Sequence, residues 1–120
     1  MTPKTVEKQK FDGFEKVTET FRFFKFEKQG DYFHGTFLGS KEITSKLNGE
    51  VQTVWICKSL EDYFEQEIFK NDICYIAEKS AMVSQRMLLK ENSEFILEYE
   101  GEKKGQSGRR YKAFNLYRRS

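Results

Sequence analysis

The alternation of strand-like runs with turn signals is what most constrains this chain. Runs rich in aromatic and β-branched residues fall at 20–28, 32–39, 51–58, 73–77, 94–100 and 110–118. Between them stand Gln29-Gly30-Asp31, Asn48-Gly49 and a loop with glycines at 101, 105 and 108. The single proline is Pro3, so nothing in the body of the chain interrupts long strands. Asn48-Gly49, at the end of the polar stretch 41–50, suits a type I′ turn, in which both central residues need positive φ. The runs 51–58 and 73–77 read as one third strand elaborated by an excursion over 59–72. There Leu60, Tyr63, Phe64 and Ile68 have helical spacing over too short a stretch to decide the conformation. Ser80 is placed to cap a helix with Ala81, Met82, Gln85, Leu88 and Leu89 on one side and Lys90 in the last turn.

The expected order is therefore β-β-β-α-β-β, all-β with one short helix between the third and fourth strands. That is the order of an OB-fold, a small five-stranded Greek-key barrel. At 120 residues the chain is long enough for one hydrophobic core. Residues 1–10 are polar and lysine-rich and read as a mobile arm. Phe11, Phe14 and Val17 return the chain to a single domain spanning 11–120. Twelve Phe, six Tyr and one Trp are more rings than polar strands require, so most must fill the core and a few remain for a surface role. Alternation along the second run puts Phe33, Gly35 and Phe37 inside and His34, Thr36 and Leu38 outside. Along the last run, burying Phe114 and Leu116 turns Tyr111 and Tyr117 outward. In Val54-Trp55-Ile56, taking Val54 and Ile56 as the core pair turns Trp55 outward, either to stack on a ligand ring or to cover the barrel's side.

Charge is distributed unevenly. From 101 to 120 seven Lys/Arg face one acid, Glu102, a surplus of six, whereas the whole chain carries +2. Residues 1–100 must therefore sum to −4. Cations concentrated on a glycine-rich hairpin and interleaved with Tyr111, Phe114 and Tyr117 suit a single-stranded nucleic acid, whose phosphates meet cations while bases stack on rings. The same lysines and arginines would also suit an exposed hairpin that only resists edge-to-edge aggregation. Nothing in the sequence reads a 2′-OH, so the residues do not separate RNA from DNA.

Other chemistries find little footing. The one histidine, His34, has no marked nucleophile, and Cys57 and Cys74 lack the spacing of a zinc or iron–sulfur site. Glu61, Asp62, Glu65 and Glu67 read as a solvated face rather than converging metal ligands. Gly101 to Gly108 lacks the Gly-Lys-Ser/Thr end of a phosphate-cradling loop and leads into a strand. Neither an enzyme nor a cofactor is expected. No apolar run approaches the roughly 20 residues of a membrane span. The start has no signal-peptide core, so no membrane contact and a cytoplasmic setting are expected, with both cysteines as buried reduced thiols.

Two stretches carry a resemblance. Phe24-Lys25-Phe26-Glu27-Lys28-Gln29-Gly30-Asp31-Tyr32-Phe33-His34-Gly35-Thr36-Phe37-Leu38-Gly39 resembles the first hairpin of small phage single-stranded DNA-binding proteins. Glu98-Tyr99-Glu100-Gly101-Glu102-Lys103 followed by Gly108-Arg109-Arg110-Tyr111-Lys112-Ala113-Phe114 is similar to their closing hairpin. The likeness covers residues 14–40 and 73–118; the excursion 59–72 does not align. It implies an OB-fold that coats single-stranded DNA with little sequence preference during phage replication or recombination, in the host cytoplasm. DNA contacts are expected from Lys25, His34, Trp55, Lys103, Lys104, Arg109, Arg110, Tyr111, Lys112 and Tyr117. Other phage replication or recombination proteins and a second subunit in a homodimer are the expected partners. The chain ends Arg118-Arg119-Ser120, without the acidic, Phe-ending tail by which bacterial members recruit partners. An interaction module whose basic hairpin meets an acidic protein is the alternative from another class.

Overall fold

A computed structural model of the chain describes residues 22–44 and 48–119. The expected arm 1–10, the return at Phe11, Phe14 and Val17, and Thr20 and Phe21 lie outside the described residues. The architecture is mostly β: β1 (Tyr32–Thr44), β2 (Val51–Ser59), β3 (Ile73–Ala77), α1 (Val83–Arg86), β4 (Ser93–Lys104) and β5 (Arg110–Arg118). The strands form one antiparallel sheet in the order β3-β2-β1-β4-β5. The sheet is not closed into a barrel, so β3 and β5 stand at its two ends. Among the described residues no helix is long and apolar enough to cross a membrane.

The first expected strand, 20–28, does not form where it is described. Its backbone groups find other partners. The Lys25 N–H donates to Gln66 Oε1 at 2.7 Å, and Gln66 Nε2 donates back to the Lys25 carbonyl at 3.0 Å. The Glu27 and Lys28 N–H groups donate to one carboxylate oxygen of Asp31 at 2.9 and 2.8 Å. Phe23 makes only an isolated parallel bridge to Tyr75. The fifth strand of the sheet is instead 73–77, a strand in its own right. Residues 22–27 lie across the opening between β3 and β5: Phe24 N donates to the Tyr75 carbonyl at 2.9 Å, and the Phe26 ring meets Phe114 edge-on at 5.1 Å.

β1 pairs on both sides, with β2 and with β4. Phe33, Gly35 and Phe37 are buried as the alternation predicts. At Gly35, opposite Ser59 on one side and Phe95 on the other, a Cβ would sit 2.4 Å from Phe33 Cε2 and 2.5 Å from the Lys58 carbonyl oxygen. A register shift between Phe37 and Gly39 is absorbed by Gly39 at φ 145, a value that favours glycine. β1 runs on to Thr44, which pairs with Val51. Asn48-Gly49 is therefore part of a longer loop, not a two-residue turn, with Asn48 Oδ1 accepting from Glu50 N at 2.9 Å.

On β2 the expectation holds for Val54, which is fully buried, and fails for Trp55. Trp55 and Cys57, opposite Ile76 and Cys74 of β3, are buried as well, Trp55 at 0% exposed, while Ile56 is only half-buried. The Trp55 ring packs edge-on against Phe37 and Phe95 at 5.6 and 5.8 Å. Its indole N–H donates to Glu78 at 2.9 Å, and Arg86 holds the same carboxylate at 2.5 Å. This satisfies a polar group that would otherwise be costly to bury. Cys57 and Cys74 are free, buried and directly opposite one another. Burial pushes both thiols up, that of Cys74 to about 12.

The helix expected from Ser80 is short. A 3₁₀ turn, Ser80–Met82, runs into the four residues of α1, and Lys79 rather than Ser80 occupies the N-cap. Met82 and Leu89 pack into the core, while Leu88, expected beside them, is 54% exposed. Gln85 donates to the Phe114 carbonyl at 2.8 Å and ties this segment to β5.

Candidate nucleic-acid interface

The opening of the sheet leaves a groove of about 440 Å³ between residues 22–27, β3 and β5. Lys25, Lys79 and Lys112 line it, with Phe23, Phe26 and Gln52; Glu27 is the one acid on its walls. Each lysine arrives from a different element: the crossing segment, the end of β3 and the hairpin strand β5. Among the described residues none of the three ammonium groups forms an ion pair, and all three residues are exposed. A larger cleft of about 750 Å³ lies beside it, but there Arg22 and Lys25 face Glu27, Glu65 and Glu67. Of these two, the smaller groove carries the positive surplus.

Strand register sorts the hairpin cations by face. Lys112 stands opposite Glu102 and Arg110 opposite Lys104. With Phe114 opposite Tyr99, these make the face that enters the core, so Lys104, Arg110 and Lys112 extend the groove's own side. Tyr111 opposite Lys103, and Tyr117 opposite Ile96, belong to the other face. At the tip, Lys103 pairs with Glu100 at 3.2 Å and Arg110 with Glu102 at 3.7 Å. Lys104 and Arg109 form no ion pair among the described residues.

The expected contact residues thus fall into separate groups. Lys25 and Lys112 are brought together, and Lys104 and Arg110 continue their side. Tyr111 and Tyr117 are outward as expected, 43% and 53% exposed. They do not share a setting. Tyr111 sits beside the basic tip, whereas Tyr117 donates to Glu98 at 3.3 Å, and Asn115 beside it donates to Glu100 at 2.8 Å. Tyr117 therefore stands on an anionic strip, and Glu98 raises its pKa.

Trp55 offers no stacking face, because it is core. His34 is outward but fully engaged. Nδ1 lies 2.8 Å from Glu61 and Nε2 2.5 Å from Glu94, and Arg119 holds Glu94 from beyond at 2.6 Å. Burial lowers the pKa of His34, but the hydrogen bonds to Glu94 and Glu61 outweigh it, so the net shift is upward. With both ring nitrogens occupied by carboxylates, His34 is a strut between β1, β4 and the excursion, not a phosphate contact.

Two groove residues escape the sequence. Lys79 lies in the polar link between β3 and the 3₁₀ turn, where a lysine carries no positional signal. Phe23 is half-buried against Tyr75, ring centroids 6.0 Å apart, in a run where every ring looked equally fit for the core. Comparison of the chain with protein-family models, with curated proteins and with solved structures finds no match.

Proposed function

We propose that this protein binds single-stranded nucleic acid, DNA in the expected form, along the groove of Lys25, Lys79 and Lys112, with little sequence preference. The observation that carries the reading is the convergence on one aromatic-walled groove of three lysines from three elements, none ion-paired among the described residues. Phosphates meet the ammonium groups there, and Lys104 and Arg110 lengthen the basic track toward the hairpin tip. Phe23 supplies a ring for base stacking, which is worth roughly 1–3 kcal/mol per base and tolerates any base. The architecture is read as an open OB-type barrel. In a closed barrel of this strand order β3 and β5 would meet, and residues 22–27 occupy that seam instead. Coating a displaced strand during phage replication or recombination is the role the sequence resemblance suggests.

The test is fluorescence anisotropy of a labelled dT oligomer with the unaltered chain and with the K25A/K79A/K112A variant across a salt series. Removing one lysine–phosphate pairing lowers the slope of log affinity against log salt by about 0.7. The triple variant is expected to drop by about 2 in slope and at least tenfold in affinity. An unchanged slope would place the nucleic-acid interface elsewhere or remove it.

A further inference from the structure

The excursion between β2 and β3 turns aromatic rings outward. Phe64 is 72% exposed and Phe69 40%, and the two rings touch edge-on at 5.6 Å. The turn that presents them is firmly made. Tyr63 and Ile68 exchange backbone hydrogen bonds at 2.6 and 3.2 Å, and Ile68 is completely buried. The knuckle is therefore a built, rigid projection. Glu65 and Glu67 flank it, exposed and without an ion pair among the described residues.

The β4–β5 arm presents the opposite pattern. Its last pairing with β1 is Glu98 to Tyr32, yet the β4–β5 ladder continues to Lys104 opposite Arg110, and among the described residues no third strand lies beside it. A two-stranded ladder has little stability alone. On the face away from the groove it carries Tyr111 and Lys103, with Arg109 at the turn.

We propose that the knuckle is a docking site for the hairpin of a second copy of this chain. Tyr111 lies against Phe64 and Phe69, Arg109 meets Glu65 and Glu67, and Lys103 gives up its pairing with Glu100 to join them. Charge complementarity selects this occupant: the tip 103–110 carries Lys103, Lys104, Arg109 and Arg110 and no acid, and the knuckle carries Glu65 and Glu67. The chain's own hairpin does not reach. The excursion is fastened beside Tyr32, whose hydroxyl donates to Glu61 at 2.8 Å. The tip lies six residues past the partner of Tyr32, roughly 20 Å along a strand. Because two different surfaces meet, the contact is heterologous and builds a head-to-tail series that stays open unless its rotation closes a ring. Lys112 points to the other face of the arm, so the groove remains free. Docking of this kind needs no nucleic acid, and none is added in its test.

Sedimentation velocity of the full chain should show a mass that rises with protein concentration at about 0.1 M salt. It should fall toward the 14.3 kDa monomer near 1 M, where the screening length drops from about 10 Å to about 3 Å. E65K/E67K, and separately K103A/R109A/Y111A, should each associate at least tenfold more weakly, with thermal melts matching the unaltered chain. Mixed in equal amounts, the two variants retain one intact hairpin and one intact knuckle between them. They should form a one-to-one dimer that grows no further. A chain that stays monomeric at every concentration would overturn the proposal, as would association untouched by either variant or a mixture that remains monomeric. The salt dependence of the unaltered chain tests the same claim without any substitution.

Discussion

Replacing Trp55 separates a core role from a stacking role, and the structure fixes the size of the effect. Trp55 is fully buried and stands first by volume among the fully buried side chains. Trp55→Ala should therefore cost about 3–5 kcal/mol, the range for removing a large aromatic from a packed core. That is a large share of the roughly 5–15 kcal/mol that holds a domain together. Trp55→Phe keeps a ring against Phe37 and Phe95 but removes the N–H that donates to Glu78. Glu78 keeps Arg86, so the loss should be about 1.5–3 kcal/mol, the worth of a hydrogen bond to a charged group. Urea denaturation followed by far-UV circular dichroism measures both, since the substitutions remove the fluorophore. In the unaltered chain, iodide should quench Trp55 poorly until denaturant unfolds the protein. A Trp55→Ala variant with unchanged stability and abolished oligonucleotide binding would refute the core assignment.

Three further outcomes follow from the same geometry. Gly35→Ala places a Cβ against both the Phe33 ring and the Lys58 carbonyl; because the carbonyl is backbone and cannot swing away, the cost should be at least about 1–3 kcal/mol, read as a lower denaturation midpoint. His34 has its pKa raised in the fold, so its contribution is complete below the unfolded value near 6.5 and is lost as pH rises through the higher folded value. The stability gap between the unaltered chain and His34→Gln should thus shrink as pH rises past about 6.5, and a gap that widens would contradict the strut. Glu94 has the opposite sign. Arg119 first and then His34 hold its carboxyl at about 2, below the ordinary 4.5, so its contribution is lost as pH falls from the ordinary value towards 2. Arg119→Ala, which lets the folded value rise, should lower stability at neutral pH and make that acid loss shallower, measured by thermal melts.

How far the sequence could be read depended on how cleanly each segment alternates. The closing hairpin was legible because glycines mark its loop and Phe114 and Leu116 alternate with polar neighbours. The same holds for Phe33, Gly35 and Phe37. In Val54-Trp55-Ile56-Cys57 every residue is apolar, so parity has no contrast to reveal it, and the fold buries Val54 and Trp55 alike. The run 20–28 has strong β propensity, yet a Gln66 side chain and the Asp31 carboxylate take its backbone groups where it is described. Such long-range competition leaves no local trace. The groove shows the same limit. Lys112 was visible within a basic cluster, whereas Lys79 gains meaning only from the open seam between strands distant in sequence.

The most direct measurement of the central claim is competition between a labelled dT oligomer and unlabelled duplex over a salt series. Duplex has the higher charge density, so a merely basic surface would favour it or show no preference. Ring faces can be offered only to unstacked bases. At low salt both forms should bind. Near physiological salt the phosphate contribution shrinks while stacking persists, and single strands should win by at least ~1.4 kcal/mol, a factor of ten. Equal competition by duplex at every salt concentration would contradict the account.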